Sequence, residues 1–382
     1  MNCDSLLKQA LNYTKPINCM GIIIEDIEND MELLKNYIFK FPKIPYIINL
    51  NTKYHEFYIM ISPELNIIIN NHKLKTKSDN IKLMLLVSDA LKFSKRYYVF
   101  SLTIILNFNY FNYRDIFQHF LPHKCIVSSY ETIGNVIHLN LTPIQLPFKK
   151  FIGQILHIKT DKTIINKIEA IDNIYRNYKI EVLAGNQFDL QTIIIENNVK
   201  MFIDLEHVYW CSRLQEERRL LVNTIPKNSI ICDPFCGVGP HVLLLLNKNC
   251  KVFANDLNPY AINCLYKSLQ LNNFTNKEYE ISNIDAKDYL NELKTKKVII
   301  NHFIFNLPEY SLDFVSYLTG FNNFILHCYF FCKRDINVVI FLRQKLSSNK
   351  INEKHVRHIR DVSPSKSVFK LEISHNDIFN ID

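Results

Sequence analysis

The second half of the chain alternates strand-like and helix-like runs, and this rhythm limits the possible fold more than any other feature. From about residue 201 onward the runs are "NSIICDPF", "GPHVLLLLNKN", "KVFANDL", "PYAINCLYKSLQLNN", "EYEISNIDA", "AKDYLNELK" and "VIINHFIFNLP". Such alternation is typical of a parallel sheet with crossover helices. The sequence therefore predicts an α/β fold with a mostly parallel, Rossmann-like sheet. A later run, "INVVIFLRQKL", fits either a strand or a helix.

Two regions with different patterns of predicted secondary structure precede this one. Residues 1–122 mix short helical and strand-like runs, which predicts a small N-terminal α/β domain. Residues 123–200 hold "IGNVIHLNL", "FIGQILHI", "KIEVLAG" and "QTIIIEN" between polar turns, so we expect a strand-rich α+β linker module there. The predicted organisation is therefore three regions, with residues 201–382 forming the last.

Composition is that of an ordinary globular protein, with 48% hydrophobic and 21% charged residues, and the net charge of +8 suits a polyanionic partner. None of the ten cysteines forms a Cys-x-x-Cys pair, so we expect reduced, buried thiols and no metal. The first twenty residues match a secretory or mitochondrial presequence poorly, and the apolar runs are too short to span a bilayer. We therefore expect a cytoplasmic or nuclear protein without membrane attachment, a mitochondrial-type compartment being left open.

A glycine pair in "DPFCGVGPH" predicts a nucleotide-binding turn. Gly237 and Gly239 stand between a predicted strand and a predicted helix, where the backbone must pass close to a ligand. The dinucleotide fingerprint requires a third glycine where this chain has Val242. The acidic Asp233 would also disfavour a pyrophosphate, whereas it suits a cationic amino acid headgroup.

Further carboxylates follow the next two predicted strands. Asp256 in "ANDLNP" can accept hydrogen bonds from both ribose hydroxyls, and Asp285 in "NIDA" can reach an adenine amine. Together with Asp233 they match the methionine, ribose and adenine parts of S-adenosylmethionine. We assign the neighbouring Leu257 and Ala286 to the same cofactor site. The alternative is a structural Rossmann-like sheet with surface acids.

The segment "HFIFNLPEY", residues 302–310, has the shape of the Asn-Pro-Pro-Tyr signature of amino-methyltransferases. Leu307 replaces the first proline, and Glu309 replaces the aromatic clamp. Asn306 is retained and can anchor a purine edge and the cofactor by hydrogen bonds. The segment alone leaves open whether this site is a degraded amino-methyltransferase or one built for a different nitrogen.

An ordered set of segments resembles the archaeal–eukaryotic tRNA (guanine-N1)-methyltransferases. They are "VYWCSRLQEERRLLV", "DPFCGVGP", "ANDLNP", "NIDA", "FNLPEYSLDF" and "VRHIRDVSPSKSVFKLEI", and the resemblance covers about residues 95–375. The family's usual Gly-His-Ile is Gly134-Asn135-Val136 here. The resemblance implies methylation of guanine 37 of tRNA at N1. This ring nitrogen carries a proton and no exocyclic amine, so neither the second proline nor the stacking tyrosine is required.

The resemblance also implies roles for individual residues. Methylation at N1 needs a base for the proton and a cation near O6. The family pattern gives the first role to Glu217 and the second to Arg213, and it adds Tyr209, which would share one stripe with them on a helix. By spacing alone, Arg213 and Glu217 could be a solvated ion pair. Arg218 matches a cofactor-contacting position, and Arg176 matches an arginine that contacts RNA near the target.

The expected partner is tRNA, including its anticodon stem–loop and body, bound by a monomer. Residues 1–122 would recognise the tRNA, residues 123–200 would form an RNA-binding linker, and residues 201–382 would be the class I methyltransferase domain. The target base would be flipped into a pocket formed by the second and third regions. Two alternatives are weighed against this reading. An amino-methyltransferase acting on another RNA base or on protein glutamine is disfavoured by the missing Asn-Pro-Pro-Tyr. A catalytically silent tRNA-binding subunit is disfavoured because Arg213, Glu217 and Asn306 are all present.

Overall fold

The computed structural model describes residues 3–24, 47–49, 57–61, 98–168 and 179–379. The chain forms two compact units. One consists of Met1–Ser128 and Pro143–Lys159, and the other of Ser129–Thr142 and Thr160–Asp382. This division into two units does not test the boundaries predicted for the three sequence regions, which remain a prediction. No helix of the described part is long and apolar enough to cross a membrane.

The described elements of the first unit combine an antiparallel sheet with helices. They are α1 (Cys3–Leu11), β1 (Thr14–Ile24), β2 (Ile47–Asn49), β3 (Phe57–Ile61), β4 (Tyr98–Asn107), α2 (Tyr113–Phe120) and α3 (Lys149–Thr160). The strand order is β2-β3-β1-β4. The strand expected in "FIGQILHI" is wrong, because this run lies in α3. Its buried residues Phe151, Ile152, Ile155 and Leu156 follow the three-to-four-residue spacing of a helix.

The second unit begins with a small mixed sheet and a hairpin. The sheet contains, in this order, β5 (Glu131–Ile133), β6 (Val136–Leu139), β7 (Thr163–Lys167) and β8 (Ile180–Ala184). The hairpin pairs β9 (Gln191–Glu196) with β10 (Val199–Asp204). Strands thus form where "IGNVIHLNL", "KIEVLAG" and "QTIIIEN" predict them.

A seven-stranded sheet dominates the second unit. Its elements and their neighbouring helices are α4 (Gln215–Thr224), β11 (Ile230–Asp233), α5 (Pro240–Asn247), β12 (Lys251–Asn255), α6 (Pro259–Leu271), β13 (Tyr279–Ser282), α7 (Ala286–Thr295), β14 (His302–Phe305), β15 (Ile325–Lys333), α8 (Val338–Leu346), β16 (Val356–Ser363), β17 (Lys366–Ser374) and α9 (His375–Ile378). The strand order is β13-β12-β11-β14-β15-β17-β16. The first five strands are parallel, whereas β17 runs antiparallel to both of its neighbours.

This sheet confirms the predicted α/β fold, and the ambiguous run "INVVIFLRQKL" is the helix α8. Both faces of the sheet are buried. On one face Ile304 belongs to a core that includes Val242, and on the other Phe303 belongs to a core that includes Leu290. The strand order reverses between β11 and β14. Ligands of open α/β sheets bind beyond the carboxyl ends of the strands at such a reversal.

Candidate active site

Asp233 ends β11 and is almost fully buried, with 1% of its surface exposed. Its Oδ1 accepts a hydrogen bond from the backbone N–H of Phe235 at 3.2 Å, whereas its Oδ2 has no hydrogen-bond partner. The ring nitrogen Nδ1 of His241 lies 3.6 Å from Oδ2. Because a buried carboxylate oxygen is costly without a donor, this position favours a ligand that brings an N–H group.

The two glycines of the turn meet different surroundings. Gly237 has a φ of +56°, and a Cβ added there would meet no atom within 4 Å, so the backbone borders open space. Gly239 has a φ of +80°, and its Cβ would lie 2.3 Å from Cδ1 of Leu265 in α6. Both positions favour glycine because of their left-handed conformation. Gly237 leaves room for a ligand, whereas Gly239 allows close packing against α6.

Asp256 follows β12 and lies against the same turn. Its Oδ2 accepts a hydrogen bond from the backbone N–H of Gly237 at 2.7 Å, and its Oδ1 accepts one from the N–H of Asn258 at 2.9 Å. Burial raises the pKa of Asp256 to about 6, although these two backbone donors act in the opposite direction. Each carboxylate oxygen can accept a second hydrogen bond, so the group can still receive two hydroxyl donors.

The end of the third parallel strand contributes more exposed groups. Asp285 is exposed and caps α7, since its Oδ1 accepts a hydrogen bond from the N–H of Lys287 at 2.8 Å. The side chain of Asn283 donates to the backbone oxygens of Asp256 (2.7 Å) and Leu257 (3.1 Å), which joins the ends of the second and third strands. Leu257 is 44% exposed and Ala286, the first residue of α7, is buried. The edge therefore combines polar groups with an apolar side chain available to a flat ring.

Asn306 directly follows β14, on the other side of the strand reversal. Its half-buried side chain makes no hydrogen bond to any residue that the structure describes. The turn beyond it is held by Ser311, whose hydroxyl accepts from the N–H of Leu307 at 2.9 Å and donates to the oxygen of Phe305 at 3.2 Å. A fixed turn thus presents an amide with unused donors and acceptors.

Glu217 lies in α4 and is 8% exposed. Its carboxylate accepts hydrogen bonds from the hydroxyl of Tyr329 in β15 and from the guanidinium of Arg357 in β16, at distances of 2.6–2.8 Å. In the register of the sheet, Phe305 pairs with the residue before Tyr329. Asn306 and Tyr329 consequently lie at the same level of the sheet, and Glu217 contacts β15 and β16 through its two partners.

The single helical stripe expected for Tyr209, Arg213 and Glu217 is wrong. Helix α4 begins only at Gln215, Arg213 lies in a 3-10 turn (Ser212–Leu214), and Tyr209 lies in the irregular segment before it. A tertiary contact holds that turn, because the backbone N–H of Ser212 donates to the Glu131 carboxylate at 2.8 Å. Arg213 is exposed and makes no hydrogen bond or ion pair with the described residues.

Arg218, expected at the cofactor, is buried among protein groups. Its Nε and Nη2 donate to the two carboxylate oxygens of Glu196 at 2.7 and 2.6 Å, and its Nη1 donates to the backbone oxygen of Cys211 at 3.2 Å. The guanidinium carbon also lies 4.6 Å from the centre of the Trp210 ring. These contacts join β9 to the segment before α4, and contact with a cofactor remains a prediction. Arg176 lies outside the described residues.

Sequence reasoning missed Tyr329 and Arg357. Tyr329 interrupts the apolar run "ILHCYFFCK" with one hydroxyl group, and a buried tyrosine usually finds a hydrogen-bond partner. That signal predicts a partner but does not identify Glu217. Arg357 stands in a segment with other basic residues, and nothing local distinguishes it from a solvated arginine.

The sheet order, with its last strand inserted antiparallel, and the acidic residues at the strand ends define a class I methyltransferase domain. The TRM5/TYW2 methyltransferase domain family matches residues 192–357, and the TYW2 N-terminal domain matches residues 113–188. The tRNA (guanine(37)-N(1))-methyltransferase of Encephalitozoon cuniculi is 39% identical over 340 residues, covering 88% of each chain. The enzyme of the same name from Homo sapiens is 31% identical over 391 residues, covering 94% of this chain and 74% of that protein.

Solved structures agree on the fold. The complex of aTrm5 and tRNALeu matches with a TM-score of 0.70 and 22% identity, covering 94% of this chain and 99% of that one. Trm5b from Pyrococcus abyssi matches with a TM-score of 0.60 and 19% identity, covering 93% and 98%. The chain belongs to the TRM5/TYW2 methyltransferase family, among the tRNA (guanine(37)-N(1))-methyltransferases.

Proposed function

We propose that this chain transfers the methyl group of S-adenosylmethionine to N1 of guanine 37 in tRNA. The observation that carries the proposal is the buried Glu217 carboxylate, which is hydrogen-bonded to Tyr329 of β15, the residue level with Asn306 in the sheet. A ring nitrogen that bears a proton needs such a base. An exocyclic amine is instead held by the Asn-Pro-Pro-Tyr signature, in which this chain has Leu307 and Glu309. The named relatives, which cover most of this chain, support tRNA as the substrate.

The carboxyl edge of the sheet fits S-adenosylmethionine. Oδ2 of Asp233, which accepts no hydrogen bond, suits the cofactor's ammonium group, and the Asp256 carboxylate suits the two ribose hydroxyls. The open space beside Gly237 allows close approach of the part of the cofactor that joins its amino acid to its ribose. Leu257 and Ala286 would border the adenine ring, and the exposed Asp285 would accept a hydrogen bond from its amine. When bound, S-adenosylmethionine supplies an electrophilic methyl group on a positively charged sulfur.

The remaining site residues act on the target guanine. The Asn306 amide can hydrogen-bond the purine edge and orient N1. Glu217 takes the N1 proton, and the exposed, unpaired Arg213 stabilises negative charge that develops on O6. Tyr209 lies in the segment leading to Arg213 and completes the proposed set. The protein would bind tRNA as a monomer, with its net charge of +8 assisting the approach of the polyanion.

Product mapping tests this proposal directly. The protein is incubated with methyl-labelled S-adenosylmethionine and a tRNA transcript carrying guanine at position 37, and the modified nucleoside is identified and located. We expect 1-methylguanosine at that position, and no label in a matched transcript with adenine there. Label on an exocyclic amine would favour the amino-methyltransferase alternative. Cofactor binding without methyl transfer would favour the silent tRNA-binding subunit.

A further inference from the structure

The hydrogen bonds on the Glu217 carboxylate are unevenly distributed. Oε1 accepts two, from the Tyr329 hydroxyl at 2.8 Å and from Nη2 of Arg357 at 2.7 Å. Oε2 accepts one, from the same Nη2 at 2.6 Å. A carboxylate oxygen offers about two lone-pair sites. Both sites of Oε1 are therefore used within the protein, and one site of Oε2 remains for a proton.

The two donors have different environments, but each is fixed by the sheet. Tyr329 is 3% exposed, and burial raises the pKa of its hydroxyl well above the ordinary value, so the group remains a hydrogen-bond donor at any assay pH. The side chain of Arg357 is 49% exposed, and its backbone lies opposite Lys370 in the pairing of β16 with β17. Since β15 and β16 both flank β17, the two donors approach Glu217 from one rigid support.

We propose that Tyr329 and Arg357 are positioning residues for methyl transfer, which orient Glu217 so that Oε2 receives the N1 proton. The inference rests on the function proposed above. In the step, the N1–H bond breaks and the proton forms an O–H bond with Oε2. The electron pair on N1 forms the new bond to the methyl carbon, while the carbon–sulfur bond breaks and its pair stays on sulfur. Neither Tyr329 nor Arg357 gives up a proton.

A double-mutant cycle separates positioning from simpler roles. Single-turnover methylation of guanine 37 is measured for the wild type, Tyr329→Phe, Arg357→Ala, Arg357→Lys, Glu217→Gln and each combination with Glu217→Gln. We expect Tyr329→Phe and Arg357→Ala each to lower the rate about tenfold or more, because the first removes one hydrogen bond to the carboxylate and the second removes both bonds from Nη2. Arg357→Lys should recover part of the rate, and tRNA affinity should be unchanged.

In the Glu217→Gln background the same substitutions should cause little further loss, since an amide that cannot take the proton gains nothing from orientation. The control is Arg219→Ala in the same helix, which breaks an exposed pair with Glu216 and should leave the rate unchanged. Three outcomes would overturn this inference and leave the proposed function intact. They are additive losses in the double variants, unchanged rates in the single variants, and a weaker tRNA affinity of Arg357→Ala that accounts for its whole effect. A wild-type protein that makes no 1-methylguanosine at position 37 would instead overturn the proposed function, and this inference with it.

Discussion

The backbone N–H of Gly237 donates a hydrogen bond to Oδ2 of Asp256 across 2.7 Å. This bond joins the turn after β11 to the end of β12, the two places where a nucleotide cofactor would lie. Both groups are held by the fold before any ligand arrives. The same carboxylate is half-buried, and its pKa is raised to about 6, so its charge changes within an accessible pH range.

Cofactor affinity should depend on pH through Asp256. The ionised carboxylate is the better acceptor for ribose hydroxyls, so binding should weaken as pH falls through about 6. If only the ionised form binds well, the dissociation constant of S-adenosylmethionine should rise about tenfold between pH 7 and pH 5. Calorimetry across this range tests the effect. Asp256→Asn should bind weakly at every pH, and the same pH slope in this variant would assign the effect to another group.

Substituting the two glycines should separate cofactor binding from folding. Gly237→Ala places a methyl group in the open space and should weaken cofactor binding, while its left-handed φ costs about 1 kcal/mol of stability. Gly239→Ala meets buried Leu265 at 2.3 Å and should lower the free energy of unfolding by roughly 1–3 kcal/mol. Urea unfolding and calorimetry on both variants check this. Equal loss of affinity without a difference in stability would contradict it.

Glu217→Gln should slow methyl transfer without weakening binding. The amide preserves the size of the side chain but cannot accept the N1 proton, and a positioned base contributes roughly 10²–10⁴-fold to a rate. Single-turnover methylation should therefore fall within that range, with nearly unchanged affinities for cofactor and tRNA. A near-normal rate would exclude Glu217 as the base and direct attention to Asn306 and water.

The buried pair of Arg218 and Glu196 should matter for stability. Glu196→Gln leaves the guanidinium buried beside a neutral partner, and breaking such a pair costs about 3–5 kcal/mol. Glu216→Ala, which breaks an exposed pair on the same helix, should change the free energy of unfolding by less than about 1 kcal/mol. Urea denaturation compares the two. A similar midpoint for both variants would refute the structural role given to Arg218.

His302 should make the fold sensitive to acid. Burial lowers the pKa of His302 to about 4, and the neighbouring His327, whose Nε2 lies 3.1 Å from Nδ1 of His302, acts in the same direction. Between the folded value and the unfolded value of about 6.5, the unfolded chain binds more protons, so stability falls as pH falls through this range. We expect the free energy of unfolding to be about 2 kcal/mol lower at pH 5 than at pH 7 from this group. His302→Gln should reduce that difference in urea titrations; an unchanged difference would exclude His302 as the cause.

Local sequence patterns were sufficient for the parallel sheet and for placing Asp233 and Asp256 at its carboxyl edge. Alternating runs determine strands and helices, and the carboxyl ends of parallel strands necessarily meet at one edge. Asp233 and Asp256 could therefore be assigned to a common site from their places at the strand ends. Local reading failed for "FIGQILHI", because a short apolar run suits a buried strand and a buried helix face equally.

The hydrogen-bond partners of Glu217 could not be predicted from local sequence patterns. Its partners Tyr329 and Arg357 lie 112 and 140 residues further along the chain. They meet Glu217 because β15, β17 and β16 adjoin in that order, which no local spacing encodes. The amino-acid sequence by itself determined the class of sheet and the chemistry available along its edge. Only the tertiary structure decided which donors hold the Glu217 carboxylate, because hydrogen bonds between distant segments depend on how the strands assemble.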